Sequence, residues 1–393
     1  MRPGNPTDAT RFVTPCRSNL GSLTRLRLTG SKWPSTDLPR SVIAIPVRNE
    51  SARLDACLDA LAAAQHEVLR PHGIILLFNG CNDESWPTAA RWALRAPLPV
   101  LMAETRLPVT CNHAGGARAA VLTLALRTWA SECDARIFTS DADTRVATDW
   151  LIRGHAALDS GADAVAGAIM VDTPEEWPRA LRQRHMLESA YAQMLDEIDV
   201  LCDPLPHNPW PTHGQCPGAS LAFQSSALRR LRVIPAPASG EDRALIAACT
   251  ALDLRIRHDP DFRVVTSARM KGRAVGGMAD ALYRKAYFRD EPCDSTLEAL
   301  QQHILRATTR ADARRRFLSG MSAQRMARQI CLPLNSTSGK RFRYFGALWQ
   351  HLEAGAPALA RVPMNPGQLP SQMTQARLWL RRRASAECGR VTV

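Results

Sequence analysis

Short apolar runs and amphipathic stretches alternate along the first third of the chain. Residues 41–45 (SVIAI) form a continuous, β-branched run closed by Pro46, the pattern of a strand buried on both faces. Behind it Leu54, Cys57, Leu58 and Leu61 recur at helical spacing, with Asn49 or Ser51 placed to cap the helix. Residues 73–78 (GIILLF) predict a second strand, broken by the turn-forming 79–83, and 99–102 a short third. A helix over 114–129 opens on Gly115-Gly116, and 136–140 predict a fourth strand. Such alternation argues for a doubly wound sheet that binds ligands beyond the carboxyl ends of its strands.

After the fourth strand the pattern loosens. It predicts a strand over 164–171, a long amphipathic helix over 179–201, a strand and helix over 219–231, and a helix over 240–250 that opens on Glu241-Asp242. Between them, 204–218 is a Pro-, His- and Trp-containing loop too long for a connector, a candidate lid or acceptor-binding loop. In it His207, Trp210 and His213 could stack on or hydrogen-bond a sugar, though aromatic loop residues more often pack a loop down. Beyond Gly277 the expectation is short Arg-rich helices.

Charge divides the chain in three. Residues 1–40 carry 7 basic and 2 acidic side chains, 41–268 carry 21 and 27, and 269–393 carry 22 and 8, so the net +13 lies in the flanks. This predicts a basic N-terminal extension (1–40), a central catalytic domain (41–278) and a basic, mainly helical C-terminal region (279–393). A nucleic-acid enzyme would concentrate its positive charge at the site, so no nucleic acid is expected as partner. The flanks read either as docking ground for anionic lipid headgroups, a polyanionic acceptor or a partner, or as solvated helix faces. With no run of 18 apolar residues and no apolar leader in 1–32, a cytoplasmic protein is expected, with peripheral membrane contact through the basic flanks. The eleven cysteines show no Cys-x-x-Cys and no zinc spacing, so reduced thiols are expected.

The chemistry concentrates in 137–146 (IFTSDADTRV), where Asp141 and Asp143 follow the fourth strand. In extended chain, alternate side chains point the same way, so the two carboxylates could share one divalent cation and the diphosphate it carries. Asp-x-Asp alone is frequent in loops; its surroundings decide.

Five segments together resemble the inverting family 2 glycosyltransferases: Ile45-Pro46-Val47-Arg48-Asn49-Glu50, Asn79-Gly80-Cys81-Asn82-Asp83-Glu84-Ser85, Ala114-Gly115-Gly116-Ala117-Arg118, Asp141-Ala142-Asp143, and Glu241-Asp242, with Asp242 lying 99 residues beyond Asp143. The resemblance spans about 41–275. It implies a GT-A fold, a Rossmann-like mixed sheet flanked by helices, and transfer of a glycosyl group from a nucleotide-diphosphate sugar to a hydroxyl of a saccharide or lipid-linked acceptor. It implies Mn2+ or Mg2+ at Asp143, with Asp141 sharing the metal or facing the ribose. Pro46, Asn49, Glu50, Asn79 and Arg118 fall on its nucleotide-sugar side, with Asp242 as general base and Glu241 as substitute. Arg269 and Arg273, in a basic segment read as a flexible loop, are expected to close over the diphosphate. Phe78-Asn79 departs from the acidic pair that often meets the nucleobase, which leaves the base open. The chain has no Gln-x-x-Arg-Trp, which sets aside the processive synthases. Two rival readings are a sugar-phosphate nucleotidyltransferase, which would open with a Gly-rich basic loop, and a non-catalytic nucleotide-sugar-binding scaffold.

Overall fold

A computed structural model of the chain describes residues 22–29, 41–64, 72–128, 135–172, 176–270, 277–330 and 340–388. The strands are β1 (Ser22–Thr29), β2 (Ser41–Val47), β3 (His72–Asn79), β4 (Val100–Arg106), β5 (Arg136–Thr139), β6 (Thr144–Val146), β7 (Ala164–Val171), β8 (Leu221–Gln224) and β9 (Ile256–Thr266). They make one mixed sheet in the order β1-β4-β3-β2-β5-β8-β7-β9-β6. β4, β3, β2 and β5 run parallel, so their carboxyl ends open along one edge, while β1 and β8 flank them antiparallel.

Side-chain alternation divides the core between the two faces. Ile43 and Ile45 of β2 point to one face, under α1 (Leu54–Ala63), α2 (Ser85–Ala93) and α4 (Trp150–Asp159). Val42 and Ala44 point to the other, under α3 (Ala114–Arg127), α6 (Ser225–Arg230) and α7 (Glu241–Ala251). The expected strand end at Pro46 is corrected: β2 continues to Val47, with Pro46 opposite Leu77. Its pairing to β5 stops at Ala44, so proline lies past the end of that ladder, where a missing donor is tolerated.

The C-terminal region is helical, as expected, with short helices of 7 to 11 residues and two longer ones of 19 and 20. α5 (Arg179–Cys202) packs through Tyr191, Leu195 and Ile198 against α9 (Leu300–Leu318) and α12 (Leu369–Cys388). α8 (Met278–Tyr287) also lies on α5, while α10 (Ala323–Gln329) and α11 (Phe345–Gly355) build a second small core with α9. The carboxylate of Asp253, just after α7, accepts from the backbone N–H of Phe345 (2.7 Å) and Gly346 (2.6 Å), which fixes the start of α11 against the sheet domain.

This packing accounts for the uneven charge. Glu188, Asp199 and Asp203 of the acidic middle meet Lys285, Arg310 and Arg314 of the basic end. Reading all the C-terminal arginines as solvated or docking groups is therefore corrected: part of the excess is internal neutralisation. Among the described residues no helix is long and apolar enough to cross a membrane.

Candidate active site

Asp141 lies two residues beyond the end of β5, at the carboxyl edge of the parallel strands. The Asp-x-Asp motif is a turn, with Thr144 N donating to Asp141 O (3.2 Å), and not the extended segment expected. Its two carboxylates are consequently held by different arginines. A thiol lies beneath: Cys57 of α1 donates to Asp141 O (3.4 Å).

Arg118 holds the first carboxylate. Its side chain is 6% exposed; Nη2 donates to Asp141 Oδ1 (2.5 Å), and Nη1 to Thr139 Oγ1 (2.8 Å) and Gly218 O (3.0 Å). Nε lies 3.0 Å from Asp242 Oδ1 and 3.9 Å from Glu241 Oε1. That approach to Asp242 lacks hydrogen-bond alignment, so Arg118 Nε and Asp242 Oδ1 both stay buried without a hydrogen bond. The arginine expected on the nucleotide thus ties the Asp-x-Asp motif to the acid pair.

Two glycines permit this convergence. A Cβ at Gly218 would stand 2.2 Å from Asp242 Oδ1 and 2.5 Å from the Arg118 guanidinium; one at Gly115 would strike Pro237 O at 2.1 Å and meet Glu241 Cβ at 3.0 Å. Gly115 therefore serves close approach of α3 to the start of α7, where Glu241 and Asp242 occupy the first turn.

Arg269 holds the second carboxylate. Its fork meets Glu50, Nη2–Oε1 at 2.9 Å and Nη1–Oε2 at 3.2 Å, and Nη2 lies 3.0 Å from Asp143 Oδ2. Burial, with Asp141 and Glu50 nearby, raises the Asp143 carboxyl to about 6 despite Arg269. Burial also raises Asp242, against the pull of Arg118, and Glu241 and Asp141 push it further.

Asn49 has a left-handed backbone (φ 53°); its amide donates to Asn82 Oδ1 (2.6 Å) and accepts from Asn82 N (2.9 Å), joining the loops after β2 and β3. Pro46 is half-buried within β2. Asn79 is 1% exposed, donates to Asn112 Oδ1 (3.0 Å) and accepts from Leu107 N (3.2 Å). In this structure one N–H and the carbonyl oxygen of the amide position 107–112. Arg273 lies outside the described residues. The 204–218 loop is pinned to β9 rather than free as a lid: Arg257 donates to Pro209 O and Pro211 O (2.5 and 2.8 Å), Thr212 donates to His258 O (3.1 Å), and the His213 and His258 rings meet edge to face at 5.5 Å. Trp210 is 41% exposed.

Sequence reasoning missed Thr139, the Gly218 carbonyl and the buried, unbonded Ser140 Oγ. No local signal marks them, because Arg118 and Gly218 stand 100 residues apart.

Comparison with known proteins bears on this edge of the sheet. Residues 42–215 match the family model described as Glycosyl transferase family 2; Glu241 and Asp242 fall beyond its end. No curated protein matches the chain. Among solved structures, the chain is similar to the mannosyltransferase PcManGT from Pyrobaculum calidifontis in complex with GDP-Man and Mn2+, at 18% identity over 84% of this chain and 90% of that one, TM-score 0.43. It is also similar to S. aureus TarS in complex with UDP-GlcNAc, at 13% identity over 80% and 90%, TM-score 0.40. A third is glucosyl-3-phosphoglycerate synthase from Mycobacterium tuberculosis in complex with Mn2+, UDP and glucosyl-3-phosphoglycerate, at 16% identity over 66% and 87%, TM-score 0.37.

Proposed function

We propose that the chain, whose residues 42–215 match the glycosyl transferase family 2 model, is a GT-A glycosyltransferase that moves a glycosyl group with inversion from a nucleotide-diphosphate sugar to an acceptor hydroxyl, using Mn2+ or Mg2+. The observation that carries this reading is a charge imbalance. Among the described residues, the recorded ion pairs of the site set five carboxylates (Glu50, Asp141, Asp143, Glu241, Asp242) against two guanidiniums (Arg118, Arg269). A surplus of this kind suits a divalent cation. Asp143 at 14% and Asp141 at 37% side-chain exposure offer the one or two carboxylates that Mg2+ or Mn2+ takes alongside phosphate oxygens and water. No group of three or more candidate protein ligands exists among the described residues, so the donor's diphosphate would complete the shell.

When bound, the cation offsets the charge that gathers on the departing diphosphate. Asp143 and Asp141 would hold it, and Arg269, with Arg273 as a second candidate, would neutralise the same oxygens. Asn49 and Glu50 shape the donor side at the end of β2. Asp242 accepts the proton of the acceptor hydroxyl, whose oxygen attacks the anomeric carbon opposite the leaving nucleoside diphosphate; that bond breaks and configuration inverts. Its side chain is 25% exposed although Oδ1 is buried against Arg118, so its accessible part can meet the acceptor; Glu241 is the substitute. Arg118 positions both acids. The acceptor is a saccharide or a lipid-linked hydroxyl, with residues 41–278 as catalytic domain and 1–40 and 279–393 as basic regions able to meet an anionic membrane from the cytoplasm.

A thermal-shift and turnover panel of UDP-, GDP- and dTDP-sugars, each with Mn2+ and with EDTA, tests this reading. One donor is expected to raise the melting temperature only with metal, and to be slowly hydrolysed to its diphosphate. Release of pyrophosphate would point to a nucleotidyltransferase; binding without hydrolysis, to a scaffold.

A further inference from the structure

Arg269, three residues beyond the end of β9, makes three charged contacts in the site. Two go side by side to Glu50, which is 9% exposed, and the third to the Asp143 oxygen at 3.0 Å. The two acids are not equivalent to it: Glu50 takes the planar fork at both nitrogens, the geometry that fixes a guanidinium, whereas Asp143 takes one. Glu50 is itself anchored, with its N–H donating to Ser85 Oγ (2.8 Å) and its carbonyl accepting from Arg53 and Leu54 (both 2.9 Å). The guanidinium therefore rests on Asp143 while being tethered elsewhere.

Resting on the reading of Asp143 as the metal carboxylate, we propose that Arg269 is a resident counter-cation of the donor site, one that metal must displace from Asp143 and that Glu50 keeps within reach, so that metal and diphosphate bind cooperatively. Two cations held against one carboxylate repel each other at short range, and a further anion between them relieves that repulsion. Metal alone thus competes with Arg269. A diphosphate supplies the missing anion: it accepts from the swung guanidinium and coordinates the metal together, and by linkage each ligand tightens the other equally.

The test is a Mn2+ titration of the full chain, read from the electron paramagnetic resonance signal of the free ion, without nucleotide and with UDP or GDP. Melting temperatures confirm that each variant folds. Arg269→Gln is expected to bind Mn2+ alone about tenfold more tightly than the parent and to lose most of the nucleotide-induced gain, within the ordinary range of coupling energies. Arg269→Lys keeps the charge but cannot hold both acids in the fork, so it should fall between. Unchanged Mn2+ affinity and undiminished gain in Arg269→Gln would overturn the proposal, as would a parent that binds Mn2+ equally with and without both nucleotides. A lysine variant identical to the parent would overturn the bridged contact in favour of a simple field effect. Asp143→Ala separates the two layers: if it still binds Mn2+ like the parent, the metal assignment falls; if it loses Mn2+ while Arg269→Gln changes nothing, only the counter-cation falls.

Discussion

Arg118 in the site and Arg306 in the C-terminal helices are both nearly fully buried arginines, at 6% and 3% side-chain exposure, and each is set among acids. Arg306 is saturated. It gives Glu298 two aligned bonds (2.9 and 2.6 Å) and spends Nη1 on Glu353 (2.7 Å) and Leu359 O (2.6 Å). Arg118 faces three carboxylates and leaves Nε and Asp242 Oδ1 unbonded. The consequence shows in the acids. Burial would raise Glu298, but bonds from His303 and Arg306 outweigh it and draw the carboxyl down to about 2, whereas burial prevails at Asp143 and Asp242 and both rise. The same residue types make a closed structural network in one place and an open, charge-deficient one in the other.

The largest effects should divide along this line. Asp242→Asn should lower glycosyl transfer by roughly 10²–10⁴-fold, the usual contribution of a general base, while donor binding by thermal shift is kept. Normal turnover in that variant would remove Asp242 as the base. Glu298→Gln should do the reverse: breaking a buried ion pair costs about 3–5 kcal/mol of stability, read in urea unfolding, with transfer by the folded fraction unchanged. If Glu298→Gln proved as stable as the parent, the two networks would not differ as described.

Solution pH separates them more gently. Glu298, with its folded pKa depressed, contributes stability that is full above its unfolded value and is lost only as pH falls towards about 2. For His303, burial alone would lower the pKa, but bonds to Asp199 and Glu298 prevail and raise it to about 9; its stability is complete below the unfolded value and lost as pH rises through 9. Between these limits the C-terminal network stays intact. Asp143 and Asp242, raised above the ordinary carboxylate range, take up protons in that window. Transfer should therefore fall roughly tenfold per pH unit below about 6, reversibly and without loss of melting temperature, since a base must be ionised to act and protonating carboxyls raised by folding favours the folded state. A matching collapse of melting temperature over the same range would show that the fold, not the base, is titrating.

Much of this was legible in order and little of it in contact. The strands at 41–47, 72–79 and 136–139, and the helices at 114–127 and 241–251, follow from apolar runs and 3.6-residue spacing, which depend on near neighbours. β9 escaped because IRHDPDFRVVT mixes charges and proline through its first half, and β1 because an alternating SLTRLRLT in a basic flank reads as an extension. The turn at Asp141–Asp143 escaped because a two-residue alternation was assumed past the strand's end. Arg118 reaches acids from 23 to 124 residues away, and Arg269 reaches Glu50 across 219; such pairings depend on sheet order and close glycine contacts, neither of which local spacing encodes.

The smallest predicted effect belongs to the residue next to the base. Arg243 shares α7 with Asp242, yet turns outward to Asp294 (2.7 Å) and Ser295 (3.0 Å), with side-chain exposures of 54% and 38% in the ion pair. Water screens such a pair, so Arg243→Gln should cost less than about 1 kcal/mol and leave the rate of transfer within a few-fold of the parent. Asp294 keeps the backbone and hydroxyl of Thr296 as partners (2.9 and 2.8 Å), so no buried charge is stranded by the change. A hundredfold loss of transfer in Arg243→Gln would mean that the field at Asp242 reaches the surface of α7, and that the base's charge balance is set by more than Arg118, Glu241 and Asp141.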